Sequence, residues 1–121
     1  MTRQRVGELG EAEAARFLEE KGYRILERNY RCPLGEVDVV ALEGDTLVFI
    51  EVKSRTSLAL GYPQEGVTEG KQRKLTRLAH YYLKEKGLSQ GDLQCRFDVA
   101  AVLVDTKNPG ASRVELITDA F

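Results

Sequence analysis

The stretch GEVDVVALEGDTLVFIEVKSR, Gly35 to Arg55, holds two β-rich runs that carry Glu36, Asp38, Glu51 and Lys53 among their apolar residues. Val, Ile, Leu and Phe suit a pleated, half-buried surface, so both runs read as strands. Gly44-Asp45 is a two-residue, hairpin-type link with glycine first. With that loop Glu43 faces Thr46, and stepping along the antiparallel register sets Asp38 across from Glu51 and Glu36 across from Lys53. Strand side chains alternate with period two. Glu36, Asp38 and Val40 therefore share a face with Leu47, Phe49, Glu51 and Lys53, while Val37, Val39, Ala41, Val48, Ile50 and Val52 form a wholly apolar face. The expectation is a hairpin with one dry face and one face bearing a compact charged patch at one end, where facing Cβ atoms stand ~5 Å apart.

Working outward, GELGEAEAARFLEEK at 7–21 is rich in Ala, Glu and Leu and is followed by Gly22, which suits a helix with a glycine cap. Gly7, Glu11, Ala14, Ala15 and Leu18 recur on one side at helical spacing, so Glu11 faces the core side while Glu8, Glu13 and Glu19 face solvent. YRILERNYR at 23–31 reads as a first strand, and CPLG as the connection to the hairpin. After the glycine-containing SLALGYPQEGV comes a second helix, with Thr68 as N-cap, Leu75, Leu78, Ala79, Tyr82 and Leu83 as its apolar stripe, and Gly87 at its end. CRFDVAAVLVD at 95–105 suits a buried strand and RVELITDAF a last one. The order αβββαββ implies an α/β fold, a mixed sheet flanked by helices.

The chain of 121 residues, 42% hydrophobic and 31% charged, has the size and composition of one compact domain, residues 1–121. The N-terminus lacks the apolar run of a signal peptide and no stretch approaches the ~18 apolar residues of a membrane span, which points to a cytoplasmic protein without a membrane partner. Two cysteines, Cys32 and Cys95, and one histidine, His80, argue against a zinc site or a Cys/His nucleophile pair. The thiols read as buried and His80 as a partly exposed helix residue. The net charge of −1 conceals a segregated field, because six basic residues stand against two acidic ones between Thr68 and Gly87.

Two opposed carboxylates raise each other's pKa unless a cation lies between them. Mg²⁺, commonly held by one or two carboxylates plus waters and phosphate oxygens, would resolve the conflict between Asp38 and Glu51. Lys53, on the same face, would direct a cation at developing phosphate charge or help position an attacking water. The implied chemistry is metal-assisted phosphodiester hydrolysis. The alternative for the same residues is a surface-facing hairpin with a cross-strand ion pair, worth ~0.2–1 kcal/mol.

Asp38 with Glu51-Val52-Lys53 across a hairpin resembles the D…E-x-K arrangement of the PD-(D/E)xK nuclease superfamily. More narrowly, Gly10-Glu11, Gly22-Tyr23, GEVDVVA, LVFIEVKSR, VTEGKQRKL and RFDV resemble the YraN-type family of small bacterial endonuclease-like proteins, akin to archaeal Holliday-junction resolvases. The resemblance runs from about Gly10 to Val99. It implies a restriction-endonuclease-like αβββαβ core with an extra C-terminal strand. It also implies a metal-dependent DNA endonuclease of resolvase-like type, acting on branched or repair-intermediate DNA with Mg²⁺ or Mn²⁺. Asp38 and Glu51 would be metal ligands, Lys53 the catalytic lysine, and Glu11 the extra acidic residue on the first helix. Glu36 belongs to the narrower GE-x-D signature, and is open between orienting Lys53 and touching the metal. Val37 stands where the superfamily's name has proline.

Cations near such a site would meet backbone phosphates, which add affinity without reading sequence. Arg55, Lys71 and Lys74 are the first choices, with Arg77, Arg31 and Arg28 after them; a solvated helix face is the alternative. Tyr62, Tyr81 and Tyr82 could stack on bases, although tyrosines at helical spacing more often serve core or rim. Asp98 reads as structural, tying Arg96 or a backbone group. Resolvases of related fold act as dimers because a four-way junction needs two symmetric cuts, so a homodimer stays open. A nucleic-acid-binding module that does not cut is the second functional expectation, and a protein-interaction domain the third.

Overall fold

A computed structural model describes residues 1–56, 69–88 and 93–120. Its elements are α1 (Arg3–Glu20), β1 (Arg24–Cys32), β2 (Gly35–Glu43), β3 (Thr46–Arg55), α2 (Glu69–Glu85), β4 (Gln94–Leu103) and β5 (Arg113–Ile117), with a 3-10 turn at Pro109–Ala111 before β5. The order is the one expected. α1 starts four residues earlier than expected, where Thr2 caps it by accepting the Arg5 amide at 3.1 Å. Gly22, with φ +92, ends it; the Gly22 and Tyr23 amides turn back to the Glu19 and Leu18 carbonyls. Gly87, with φ +67, closes α2 in the same way. Thr68 and Tyr62 lie outside the described residues. Among the described residues no helix is long and apolar enough to cross a membrane.

The strands form one sheet in sequence order, β1 to β5. Neighbours are antiparallel except β3 and β4, which are parallel. Parallel strands need a crossover, and α2 lies in the connection between β3 and β4. Gly44 has φ +59, as a glycine-first hairpin link requires, and the pairs from Glu43–Thr46 to Val39–Ile50 follow the expected register.

Both faces of the sheet are dry over most of their length. Ala14 and Leu18 of α1 pack on Val39, Ala41, Val48, Ile50, Ala100 and Val102. Leu78, Ala79, Tyr82 and Leu83 of α2 pack with Tyr30, Val37, Val40, Leu47 and Phe49. The expected apolar stripe of α2 is buried in full. The expectation of one dry face is corrected, since each face has its own helix. Val37 is corrected too: it joins the α2 cluster and not the α1 cluster of Val39, so strict alternation slips at Asp38. Across from this region Asn29 of β1 has φ +53, a conformation that breaks regular strand geometry.

Asp98 is 1% exposed and structural, as expected. Its Oδ1 accepts from Arg96 Nε and from the Asp119 amide, both at 2.9 Å, and its Oδ2 from Arg96 Nη2 at 3.0 Å. Arg96 also donates to the Tyr23 hydroxyl at 2.7 Å and to Glu43 at 3.0 Å. Burial, then hydrogen bonding with Glu43, pushes the Tyr23 hydroxyl up to about 12. The buried-thiol reading is corrected: Cys95 is exposed and Cys32 half-buried. Cys95 sits at the start of β4, before the Val99–Leu103 segment that β5 covers.

Candidate functional site

Where the β2–β3 ladder ends at Val39–Ile50, a side chain takes over from the backbone. Asp38 Oδ2 accepts the Val52 amide at 2.7 Å, which ties the two strands together one step beyond their last paired residues. Asp38 and Glu51 then both line a cleft between this end of the hairpin and α2, together with Glu36 and Arg31 on the strand side and Lys71 and Lys74 on the helix side. The expected Glu36–Lys53 pairing is corrected. Glu36 pairs with Arg31 of β1, in register and by an ion pair of 3.2 Å, because it lies in the part of β2 that continues toward β1.

The charged groups of the site act on one another across elements. Burial raises the Asp38 carboxyl to about 6 against the opposing pull of the Val52 amide, and the charges of Glu51, Glu11 and Glu36 raise it further. Glu11 thus acts on Asp38, although it is not among the residues lining the cleft. The Lys53 ammonium is pushed down, first by burial and then by Lys71, while Glu51 and Asp38 favour its charge. Lys71 Nζ stands 3.3 Å from Glu51 Oε2, with the two side chains only 30% and 15% exposed. The sequence reading took Lys71 for a phosphate contact and missed this ion pair. No residue pattern signals it, since α2 and β3 are brought together by packing.

The remaining candidates fall elsewhere. Arg77 is exposed on the outer side of α2 with Arg73 and Thr76. Arg28 lies in a groove against Ala12, Ala15 and Arg16 of α1. Arg55 ends β3, half-buried, and its Nε has no hydrogen-bond partner among the described residues. Tyr82 is core, edge-on to both Tyr30 and Phe49, and His80 is exposed. Gly35, with φ +142, lets the Lys74 stem pass, because a Cβ there would lie 2.8 Å from Lys74 Cε.

Among the described residues no group of three or more His, Cys, Asp or Glu side chains is arranged to hold a metal ion. The donors that the cleft would offer an ion are the carboxylate pair Asp38 and Glu51. That chemistry suits Mg²⁺ or Mn²⁺, which complete their shells with waters and phosphate oxygens.

Fold and cleft together define a small mixed α/β protein with paired carboxylates and paired lysines where a hairpin meets a helix. Residues 10–102 match the family described as "Uncharacterised protein family UPF0102", and the chain belongs to it, the YraN type that its motifs resemble. It is 54% identical over 121 residues to a UPF0102 protein of Moorella thermoacetica, covering all of this chain and 98% of the relative. A UPF0102 protein of Syntrophus aciditrophicus is 50% identical over 117 residues, 97% of this chain and 88% of the relative. One from Caldicellulosiruptor saccharolyticus is 46% identical over the full length of both. The matched span contains Glu11, Asp38, Glu51, Lys53 and Lys71.

Proposed function

We propose that the chain is a metal-dependent DNA endonuclease of resolvase-like type, built on a restriction-endonuclease-like core of α1, β1–β3, α2 and β4. One observation carries this reading. Asp38 and Glu51 share a cleft with Lys71, close to the charge of Lys53, in surroundings that lift Asp38 to about 6. Half-burying two carboxylates beside each other is unfavourable for folding; Lys71 offsets part of it at Glu51, and a divalent cation between the two would offset it for both.

Asp38 and Glu51 would hold Mg²⁺ or Mn²⁺, with the charge of Glu11 reinforcing the site. When bound, the ion supplies a Lewis-acid centre for water and for the phosphate. Lys53 places positive charge where negative charge develops on the scissile phosphate. Lys71 and Lys74 on α2, with Arg31 across the cleft, hold the flanking backbone, and Arg77 and Arg55 extend the positive surface. Symmetric cutting of a four-way junction would require two copies of the chain.

The test presents single-stranded, duplex, flapped and four-way DNA to the purified protein with Mg²⁺, Mn²⁺ or chelator. Cleavage is expected with either ion and is lost with chelator. Asp38→Asn, Glu51→Gln and Lys53→Ala should each lower it by at least about 100-fold while the far-UV spectrum is retained. Full activity in any of the three would remove that residue from the mechanism. A second reading, a nucleic-acid-binding module that does not cut, is favoured by the Lys71–Glu51 ion pair, which already neutralises one carboxylate. It predicts DNA binding that weakens steeply with salt and no product under either ion.

A further inference from the structure

The cleft contains its own counter-ions. Among the described residues its charged lining is three carboxylates, Glu36, Asp38 and Glu51, and three cations, Arg31, Lys71 and Lys74, while Glu11 and Lys53 add one charge of each sign from outside that lining. Glu36 and Arg31 form a separate neutral pair at the rim. The site is therefore balanced before any metal or nucleic acid arrives. Lys53 belongs to the same strand as Glu51, two residues on, whereas Lys71 reaches Glu51 from α2, across the cleft.

We propose that the Lys71–Glu51 ion pair is an internal competitor for the cation, one that couples metal binding to nucleic-acid binding. The inference rests on the metal-holding role proposed above for Asp38 and Glu51. A divalent ion entering a balanced cleft leaves a surplus of positive charge and contests the carboxylate oxygens that Lys71 already contacts. A backbone phosphate removes both obstacles, because it accepts the Lys71 ammonium and cancels the surplus. Metal and nucleic acid then favour each other's binding, and by linkage the factor is the same in both directions. Lys71 is a positioning residue in this scheme: it sets how tightly the carboxylates bind metal when no nucleic acid is present.

The experiment compares Mn²⁺ affinity, without nucleic acid, in the wild-type protein and in Lys71→Met, Lys71→Arg and Lys74→Met, using the electron paramagnetic resonance signal of the free ion. Methionine keeps most of the stem of Lys71, and far-UV spectra confirm that each variant folds. Removing the competing charge should tighten Mn²⁺ binding roughly 5- to 20-fold in Lys71→Met. Lys71→Arg should stay near wild type, and Lys74→Met, which lines the same cleft but has no ion pair with Glu51 among the described residues, should tighten binding clearly less than Lys71→Met does. The ratio of duplex-DNA affinities with Ca²⁺ and with chelator should also be larger in wild type than in Lys71→Met. Equal Mn²⁺ affinity in wild type and Lys71→Met overturns this inference and leaves the nuclease reading standing. A tightening of the same size in Lys74→Met overturns the assignment to the ion pair. Absence of Mn²⁺ binding in wild type and Lys71→Met alike overturns the metal-holding role itself, and the inference with it.

Discussion

Asp38 does two jobs that pull against each other. Its carboxylate takes the Val52 amide where the β2–β3 ladder ends, yet burial and neighbouring carboxylates disfavour its charge and lift it to about 6. A carboxyl that binds its proton more tightly in the folded chain contributes stability that is full below its unfolded pKa of about 4 and is lost as the pH rises through about 6. Asparagine keeps an acceptor for the Val52 amide and carries no charge. Asp38→Asn is therefore expected to be more stable than wild type at pH 7.5, by on the order of 1–3 kcal/mol, with the difference vanishing near pH 4. Thermal unfolding of both proteins across pH 4–8 measures it. Equal stability at pH 7.5 would show that the carboxylate is not strained in the metal-free fold. Hairpin register and strand parity, which are local rules, led to Asp38 and Glu51 as neighbours, and both line one cleft although the paired ladder stops at Val39–Ile50. The ion pairs of Glu36 with Arg31 and of Glu51 with Lys71 were not legible, because each partner comes from another element.

At the scale of elements, α1 meets β3 most tightly at a small residue, Gly10. A Cβ on Gly10 would lie 1.8 Å from Ser54 Oγ and 2.7 Å from its Cβ, so the helix can pack here only on glycine. Glu11, the next residue, acts on Asp38 from this element. Alanine is the better helix former by about 1 kcal/mol, but overpacking a closed contact costs about 1–3 kcal/mol and more where backbone must shift. Gly10→Ala should therefore destabilise by about 1–2 kcal/mol, and Ser54→Gly in the same chain should recover part of the loss; denaturant unfolding of the single and double variants checks this. Stabilisation by Gly10→Ala alone would mean that α1 does not sit against Ser54. Element existence and order were legible from periodicity and glycine caps, and the α2 stripe is buried residue for residue. The slip at Asp38, which sends Val37 to the α2 side, was not, since period two assumes a regular strand and Asn29 breaks that regularity from the neighbouring one.

Across the whole molecule, one buried carboxylate joins parts far apart in the chain. Asp98 of β4 fixes Arg96 and the Asp119 amide, and through Arg96 it reaches Tyr23 after α1 and Glu43 at the hairpin end. Removing one partner of a buried pair leaves the other uncompensated, so Asp98→Ala should cost about 3 kcal/mol or more, read as a lower urea midpoint. A loss under about 1 kcal/mol would show that the network is not buried in solution. These contacts lie at the Glu43 end of the hairpin, whereas the candidate cleft lies at its Asp38 end. The amino-acid sequence alone was enough for the α/β class, the order of the described elements, the hairpin link and the expectation that Asp38 and Glu51 lie close together, because each rests on spacing along one or two adjacent segments. Tertiary packing was needed to show that both sheet faces are covered, to move Cys95 to the surface, to pair Glu36 with Arg31, and to bring Lys71 to Glu51. Those outcomes depend on where α1 and α2 come to rest on the sheet, which is a balance of burial over the whole molecule and leaves no trace in local residue spacing.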